Sequence, residues 1–357
     1  MSGTPAGPAP ASADSGPGAD IPAIALTPIF SARFRDSDLA LIQAAAPGAR
    51  IVLVSREGAA DGPLDDVTVV LRGAIPSDVF DRLAMRCRQL RWIHSTAAGV
   101  ERVVTPAVRA RGLIVTNGRG VFTRPIAEYV MLMILAVSRR LPALLDLQRE
   151  RTWQPLEGRE LRDVTVGIVG LGSIGRAVAA LASGFGCRIV AMRRHPELGD
   201  AAPALGDGDG LPPVPINVDD IVGPESLHVL LARSDFVVLA LPQTGATENV
   251  IDDAALAAMK PGAWLINVAR GRLVDERALL RRLRDGPIGG AVLDAFREQP
   301  LPATSPFYDL PNVIVTPHTS WSSARVLDRS VALFAENLQR YGDGRPLLNV
   351  VDQEAGY

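Results

Sequence analysis

One glycine-rich stretch of the sequence has the spacing of a phosphate-binding turn. The chain reads VGIVGLGSIGRAVAALA, a G-x-G-x-x-G pattern that follows a strand-like run and precedes a helical one. The first glycine permits a tight turn, the second lets the backbone approach a pyrophosphate, and the third packs the helix on the strand. The helix N-terminus adds backbone amides and a positive dipole end. The predicted dinucleotide-binding turn consists of Gly170, Leu171, Gly172, Ser173, Ile174 and Gly175.

The sequence after the next predicted strand bears on which dinucleotide is bound. An NAD-binding domain normally has an Asp or Glu there, which accepts a hydrogen bond from the ribose 2′-OH. This chain reads AMRRH instead, with Arg193 eighteen residues after Gly175 and Arg194 next to it. Because a guanidinium fork matches phosphate geometry, the pair favours NADP(H), while NAD(H) stays possible. The alternative is that both arginines are solvated surface residues.

The elements that would position these residues alternate between strand and helix patterns. Five β-branched runs lie between Ile21 and residue 118, and six more run from TVGIVG to NVIVTP. Such alternation predicts α/β architecture with two doubly wound parallel sheets. One long helix, from about Pro125 to Leu147, is predicted to link the two series. Another, after Trp321, is predicted to return the chain to the first domain.

Composition argues against several classes of function. With 21% charged residues, a net charge of −2 and no basic block, we expect no nucleic-acid partner. The longest strongly apolar stretch, YVMLMILAV, is much shorter than the roughly 20 residues of a membrane span, so no membrane partner is expected. The two cysteines lack metal-type spacing, which predicts no metal site and fits a reduced, cytoplasmic protein.

Two segments stand outside the alternating pattern. Residues 1–20 lack the features of a secretory signal, and their Pro, Gly, Ala and Ser content predicts a disordered tail. The Gly- and Pro-rich stretch 196–217 predicts a surface insertion, to which no function is assigned.

Five motifs occur together and in order: VGIVGLGSIG, DFVVLALPQT, MKPGAWLINVARGRLVDERAL, GAVLDAF and LPNVIVTPHTSW. With them, the chain from about residue 45 onward resembles the NAD(P)-dependent D-isomer-specific 2-hydroxyacid dehydrogenases, of the hydroxypyruvate/glyoxylate reductase or phosphoglycerate dehydrogenase type. The resemblance implies two Rossmann-like domains, with the cofactor domain inserted into a flavodoxin-like substrate domain. The implied substrate domain is 21–124 with 322–357, and the NAD(P)-binding domain is 125–321. The cleft between them would hold the nicotinamide and a 2-oxo acid.

The resemblance also implies roles for individual residues. Arg270, in NVARG, would bind the substrate carboxylate and carbonyl, and His318, in TPH, would be the proton donor. Ala98 and Gly99 would offer backbone amides to the carboxylate. These roles suit the chemistry, because a 2-oxo acid needs a fixed cation and an acid that titrates near neutrality. The further implied cofactor contacts are Leu241, Pro242, Val268, Ala269 and Asp294.

The partner of His318 departs from the family pattern, which resembles D-x-F-x-x-E-P with the glutamate paired to the histidine. Counting from Asp294, the matching residue is Gln299, which precedes Pro300. Glu298 comes one residue too early, since adjacent side chains of an extended chain point to opposite sides. A local shift of register is the alternative that would make Glu298 the partner. An amide can orient the imidazole but lacks the charge that favours imidazolium, so we expect weakened or acid-shifted reduction.

The leading hypothesis is an oxidoreductase that transfers hydride between NAD(P)H and a small 2-oxo or 2-hydroxy acid, with hydroxypyruvate or glyoxylate as the plainest substrates. The alternative is a dinucleotide-sensing binding protein with weakened catalysis. Gln299 favours the sensor, and Trp321 resembles a residue of corepressor-like members, although it also fits a substrate pocket. Arg270 with His318 favours the enzyme. The resemblance implies a homodimer joined through the cofactor domains, using residues 129–153.

Overall fold

The computed structural model describes residues 20–29, 34–198 and 216–354. The chain forms two compact units: one contains the residues up to Gly118 and those from Leu327, and the other is Arg119–Val326. These limits lie within six residues of the predicted domain boundaries. Residues 119–122 belong with the second unit, where Phe122 packs edge-to-face on Trp321 with ring centroids 6.2 Å apart. The predicted tail and most of the predicted insertion lie outside the described residues.

The first unit contains a five-stranded parallel sheet in the order β2-β1-β3-β4-β5. Its strands are β1 (Ala23–Leu26), β2 (Arg50–Leu53), β3 (Val67–Arg72), β4 (Trp92–Ser95) and β5 (Ile114–Thr116). Its helices are α1 (Asp36–Ala45), α2 (Ser77–Arg86), α3 (Pro106–Ala110) and most of the C-terminal helix Val326–Gly342. The central strands are buried along their whole length, as expected for a parallel sheet with both faces covered.

The C-terminal helix covers one face of this first sheet. Trp92 of β4 packs against Phe334 and Tyr341 of this helix, at ring-centroid distances of 5.6 and 5.4 Å. His94, two residues further along β4, is fully buried, and this burial lowers its pKa to about 3. Its Nδ1 lies 2.8 Å from the Thr116 hydroxyl. His94 is therefore a neutral core residue.

The second unit contains a seven-stranded parallel sheet in the order β12-β11-β10-β9-β6-β7-β8. Its strands are β6 (Thr165–Val169), β7 (Arg188–Met192), β8 (Asp220–Val222), β9 (Phe236–Leu239), β10 (Trp264–Asn267), β11 (Gly290–Leu293) and β12 (Val313–Val315). Its helices are α4 (Thr123–Ser138), α5 (Leu141–Arg149), α6 (Ser173–Gly184), α7 (Leu227–Arg233), α8 (Asp253–Ala258) and α9 (Glu276–Asp285). The strand order reverses between β6 and β9, which is where doubly wound folds bind their ligands.

Two sequence-based expectations for this unit are wrong. The predicted single helix from 125 to 147 is two helices, because Arg140 has a left-handed φ of 55° and Pro142 lies at the start of α5. Six strands were predicted, and β8 is a seventh. It has only three residues, directly after the Gly- and Pro-rich stretch, which is too short to give an alternating pattern. Within the described ranges, no helix is both long and apolar enough to cross a bilayer.

Candidate active site

The glycine turn after β6 has a distinct geometry at each glycine. Gly170 has φ of +111°, and a Cβ there would lie 2.7 Å from the carbonyl oxygen of Ala240, after β9. A Cβ at Gly175, in the first turn of α6, would clash with the carbonyl oxygen of Gly170. A Cβ at Gly172 would meet no described atom within 4 Å. The first and third glycines therefore serve the packing of the turn, while the second leaves open space at the N-terminus of a twelve-residue helix.

The main chain of the same turn is held by neighbouring strands. The backbone amides of Gly170 and Leu171 both donate to the carbonyl oxygen of Met192 at the end of β7, at 3.1 Å. Leu241, after β9, packs beside Gly170, and the carbonyl of Pro242 accepts a hydrogen bond from the Thr247 hydroxyl at 2.8 Å. These residues fit a pyrophosphate cradle, because a rigid turn presents a helix N-terminus beside an uncrowded glycine.

The residues that follow β7 are basic. Arg193 is half-buried and its backbone amide donates to Val222 of β8 at 3.1 Å, while Arg194 is exposed. The first carboxylate along the chain is Glu197, whose Oε1 lies 3.2 Å from Nδ1 of His195. Both of those side chains are exposed. The position where NAD-binding domains usually have an acid therefore carries a guanidinium.

A short loop after β10 carries Arg270. The buried Asn267 accepts a hydrogen bond from the Ala269 amide at 3.1 Å and donates one to the Arg270 carbonyl at 3.0 Å. Val268 and Ala269 are buried, and Arg270 is half-buried with its Nη1 donating to the Ala269 carbonyl at 2.9 Å. The Asn267 side chain thus holds the loop, and the Ala269 carbonyl helps to orient the Arg270 guanidinium.

Asp294, directly after β11, holds the loop that carries His318. The side chain is only 1% exposed, and it accepts hydrogen bonds from the Thr316 hydroxyl at 2.7 Å and the backbone amides of Thr319 at 2.8 Å and Ser320 at 3.0 Å. Tyr129 of α4 lies 2.6 Å from the same Thr316 hydroxyl, and burial raises the pKa of Tyr129 to about 12. The family resemblance implied only a nicotinamide contact for Asp294. The anchoring of the loop is a feature that the sequence did not reveal.

The position of His318 is defined by its backbone conformation and by two hydrogen bonds. Its φ of 50° is left-handed, its backbone carbonyl accepts a hydrogen bond from Trp321 Nε1 at 2.7 Å, and its Nδ1 lies 2.8 Å from Gln299 Oε1. The amide nitrogen of Gln299 donates to the Phe296 carbonyl at 3.1 Å, which turns its oxygen toward the imidazole. The partner of the ring is therefore Gln299, and Glu298 is exposed. Since Nδ1 donates to an amide oxygen, Nε2 is the nitrogen that can exchange a proton with a substrate.

The remaining predicted residues, Ala98 and Gly99, belong to the first unit. They are half-buried in the turn after β4, where the Ala98 carbonyl accepts a hydrogen bond from the Asn117 side chain at 2.9 Å. In the described part of the chain, no cluster of three or more His, Cys, Asp or Glu residues could hold a metal ion.

Residues 131–320 match the model of the family described as "D-isomer specific 2-hydroxyacid dehydrogenase, NAD binding domain". This match covers more than half of the chain. The chain belongs to the D-isomer specific 2-hydroxyacid dehydrogenase family. The predicted family, α/β fold class and enzyme class are confirmed, and the protein is an NAD(P)-dependent oxidoreductase.

Individual members of the family resemble the chain over most of its length. A glyoxylate reductase of Korarchaeum cryptofilum is 33% identical over 318 residues, which cover 87% of this chain and 88% of the relative. A family member from Xanthobacter autotrophicus Py2, solved with NADPH and MES, is 29% identical with a TM-score of 0.78, covering 94% of this chain and all of that one. An NADPH-dependent glyoxylate/hydroxypyruvate reductase from Sinorhizobium meliloti, solved with NADP and sulfate, is 26% identical with a TM-score of 0.75 over the same shares.

Proposed function

We propose that this 2-hydroxyacid dehydrogenase reduces a small 2-oxo acid of the glyoxylate or hydroxypyruvate type with NADPH. The observation that carries the proposal is the hydrogen bond between His318 Nδ1 and Gln299 Oε1, at 2.8 Å, because it prepares Nε2 for proton transfer. The names of the similar glyoxylate and hydroxypyruvate reductases support the substrate class. When bound, the reduced nicotinamide supplies the hydride.

In this proposal His318 is the general acid. As the carbonyl carbon of the substrate is reduced, the carbonyl oxygen becomes an alkoxide and takes the Nε2 proton of the imidazolium. The neutral imidazole that remains keeps its Nδ1 proton, which is the proton that Gln299 accepts. Trp321 and Asp294 keep the loop in place through the His318 carbonyl and the amides of residues 319 and 320. In the reverse direction the neutral ring accepts the proton of the 2-hydroxy acid.

Arg270 is proposed to bind the carboxylate of the substrate. Its fork can form two parallel charge-assisted hydrogen bonds, and the Ala269 carbonyl sets the direction of Nη1. The backbone amides of Ala98 and Gly99 stay part of the proposal on the strength of the family resemblance. Trp321 is proposed as a pocket residue for the small substrate side chain.

We assign NADPH binding to the turn 170–175 and the residues after β7. The open side of Gly172 and the N-terminus of α6 suit the pyrophosphate, and Arg193 and Arg194 suit a 2′-phosphate. Two similar structures that hold NADPH or NADP support this preference. The further proposed contacts, carried over from the family, are Leu241, Pro242, Val268, Ala269 and Asp294.

A homodimer is proposed from the surface of the second unit. Helix α5, which lies wholly within the described residues, has no buried side chain. Its apolar residues Leu141, Leu144 and Leu145 are 39–41% exposed. Trp153, just beyond it, is 100% exposed. An apolar surface of this kind marks an interaction site, and a two-fold related copy would present the same surface in return.

One observation favours a second candidate, a dinucleotide-sensing protein with weakened catalysis. The amide of Gln299 supplies no negative charge to stabilise the imidazolium. Such a protein would bind NADPH without reducing 2-oxo acids.

Steady-state oxidation of NADPH and NADH with a panel of 2-oxo acids, at pH 6 and pH 8, separates the two candidates. We expect turnover with glyoxylate or hydroxypyruvate, faster with NADPH and at the lower pH, and its loss in His318→Gln. NADPH binding without turnover in both the wild type and Gln299→Glu would support the sensor and contradict the reductase.

A further inference from the structure

We propose that Arg297 is a positioning residue for the proton donor, because it fixes the backbone that orients the Gln299 amide toward His318. The inference rests on the proposed function, in which His318 protonates the substrate. Arg297 lies in the loop that follows β11, two residues before Gln299.

Arg297 joins three segments of the second unit. Its Nη1 donates to Asn249 Oδ1 at 2.8 Å and its Nη2 to Glu248 Oε1 at 3.1 Å, both before α8. Its backbone amide donates to Oε1 of Glu276, in the first turn of α9, at 2.7 Å. The guanidinium of Arg297 is therefore held by the 248–249 segment, and its backbone amide is held by α9.

These contacts also reach the turn that carries Arg270. The Asn249 amide donates to the Arg272 carbonyl at 2.9 Å, and Arg272 pairs with Glu248 at 3.4 Å. A Cβ on Gly271 would clash with the backbone of Phe296 and Arg297. The 270–272 turn and the 296–297 backbone are thus in direct contact. We call the contacts of Arg297 with Glu248, Asn249 and Glu276, which hold these two segments, the clamp.

The clamp acts on Gln299 through the Phe296 carbonyl. This oxygen accepts the Gln299 amide nitrogen at 3.1 Å, which leaves Oε1 to face Nδ1 of His318. Phe296 is itself buried, with its ring 5.8 Å from that of Phe307. If the Phe296 carbonyl moves, the Gln299 side chain loses the hydrogen bond that places its nitrogen away from His318 and its oxygen toward it.

Orientation matters here because residue 299 is an amide. Both oxygens of a carboxylate accept hydrogen bonds, so a flipped glutamate would serve His318 equally well. A flipped glutamine would present its NH₂ group to the Nδ1–H of the imidazolium and oppose protonation. The chain therefore needs the clamp more than it would with glutamate at this position.

Removing the Arg297 side chain is predicted to shift the pKa of the His318 imidazole in the direction opposite to that expected from the loss of its charge alone. The charged side chains on the loops after β10 and β11 include Arg270, Asp294, Arg297 and Glu298. Loss of the positive charge of Arg297 would by itself raise the imidazole pKa. Loss of the amide's orientation lowers it, because the acceptor for Nδ1–H is lost.

The test compares Arg297→Met in the wild-type and Gln299→Glu backgrounds, with Arg281→Met as the matched control. Arg281 is an exposed arginine of α9 that pairs with Asp253 at 3.4 Å. In the wild-type background we expect Arg297→Met to lower kcat for 2-oxo acid reduction roughly tenfold, less than the hundredfold that a displacement of about 1 Å can cost. The falling limb of the pH profile should move to lower pH, while the Kd for NADPH stays within about twofold. In the Gln299→Glu background the loss should shrink to less than about threefold.

A second readout needs neither cofactor nor substrate. The chain has four histidines, so the His318 imidazole can be followed by NMR titration and assigned with His318→Gln. Arg297→Met should lower its pKa only when residue 299 is glutamine. If Arg297→Met does not fold, Arg297→Lys, which keeps the charge without the fork, takes its place with the same expected sign.

Three results would overturn the proposal: an equal loss of kcat in both backgrounds, a rise of the His318 pKa, or no difference from Arg281→Met. If wild-type protein reduces no 2-oxo acid, the proposed function fails. The NMR titration would still decide whether Arg297 orients Gln299.

Discussion

At the scale of single residues, the proposed proton donor, His318, has an amide as its partner where the family pattern has a glutamate. The amide oxygen of Gln299 lies 2.8 Å from His318 Nδ1, where it can orient the imidazole as a carboxylate would, but the amide itself contributes no negative charge. Orientation and charge, which a glutamate supplies together, are separated here. Substitutions at these positions can therefore measure each contribution by itself.

Arg270 should be sensitive to the shape of its side chain as well as to its charge. We expect Arg270→Lys to lower kcat/KM for 2-oxo acids roughly ten- to hundredfold, because one charge-assisted hydrogen bond of about 1.5–3 kcal/mol is lost. NADPH affinity should stay nearly unchanged. Steady-state kinetics and a fluorescence titration with NADPH check both, with the exposed Arg277→Lys on α9 as control. Wild-type kcat/KM in Arg270→Lys would remove this residue from the substrate site.

Arg193 should decide the cofactor preference. The wild type should bind NADPH more tightly than NADH, and Arg193→Asp should narrow or reverse the difference, since the carboxylate repels a 2′-phosphate and accepts a ribose 2′-OH. Arg188→Asp, at the exposed start of the same strand, is the control. Isothermal titration with both cofactors measures the two Kd values. Equal affinities in the wild type that do not change in Arg193→Asp would contradict the assignment.

Some of these residues could be found in the sequence and others could not. Gln299 could be predicted as the partner of His318 by counting from Asp294 to Pro300 along the family pattern, because register along one short segment is a local property. Arg297 and the loop-holding role of Asp294 could not be identified in this way. Their partners come from other segments, namely the loop at 248–249, the first turn of α9 at 276 and the loop at 316–320, which meet only because β9, β10, β11 and β12 are neighbours in the sheet.

At the scale of elements, the glycines of the turn between β6 and α6 allow the packing of the turn to be tested separately from the proposed binding of NADPH. Gly175→Ala should lower Tm, by a destabilisation of about 1–3 kcal/mol, and also weaken NADPH binding, because its Cβ clashes with the Gly170 carbonyl. Gly172→Ala meets no described atom within 4 Å, so it should leave Tm unchanged and weaken NADPH binding alone. Gly184→Ala, at the open end of α6, should change neither. Thermal unfolding and NADPH titration of the three variants give the comparison, and tight NADPH binding by Gly172→Ala would exclude the turn as the pyrophosphate site.

The boundaries of helices and strands could be predicted where apolar patterns were long. The prediction failed where the backbone changed direction within an apolar stretch. The buried strands β6, β9 and β10 follow from continuous apolar runs. The break between α4 and α5 depends on the left-handed conformation of Arg140, which is not a glycine or asparagine and so gives no signal in the sequence. Pro142 was the available indication, and proline is also tolerated in the first turn of a helix.

At the scale of the whole molecule, the proposed dimer predicts that Trp153 is buried in solution. Trp153→Glu should produce monomers, because a charge would be placed in an apolar interface. Met85→Glu, which replaces another highly exposed apolar residue in the first unit, should leave the dimer intact. Light scattering with size-exclusion chromatography gives the mass of each. A monomeric wild type, or a dimeric Trp153→Glu, would contradict the proposed interface.

The two-unit organisation was predictable because two separate series of strand patterns occur and the family motifs lie in the second. The limits of the units were less certain, since the segments 119–122 and 322–326 carry no strand pattern. Both belong to the second unit, in which Phe122 contacts Trp321. Contacts between residues about 200 positions apart leave no local trace in the sequence.

The most direct test of the proposed function is the pH dependence of kcat/KM for 2-oxo acid reduction in the wild type, Gln299→Glu and Glu298→Gln. Reduction requires protonated His318, so the rate falls as pH rises through the pKa of the imidazole. A carboxylate at residue 299 favours imidazolium, so Gln299→Glu should move the falling limb upward by about one pH unit and increase activity at pH 7. Glu298→Gln should leave the profile unchanged, because Glu298 is exposed and Gln299 contacts the ring. A profile that shifts in Glu298→Gln and stays constant in Gln299→Glu would contradict the assignment of Gln299 as the partner of His318.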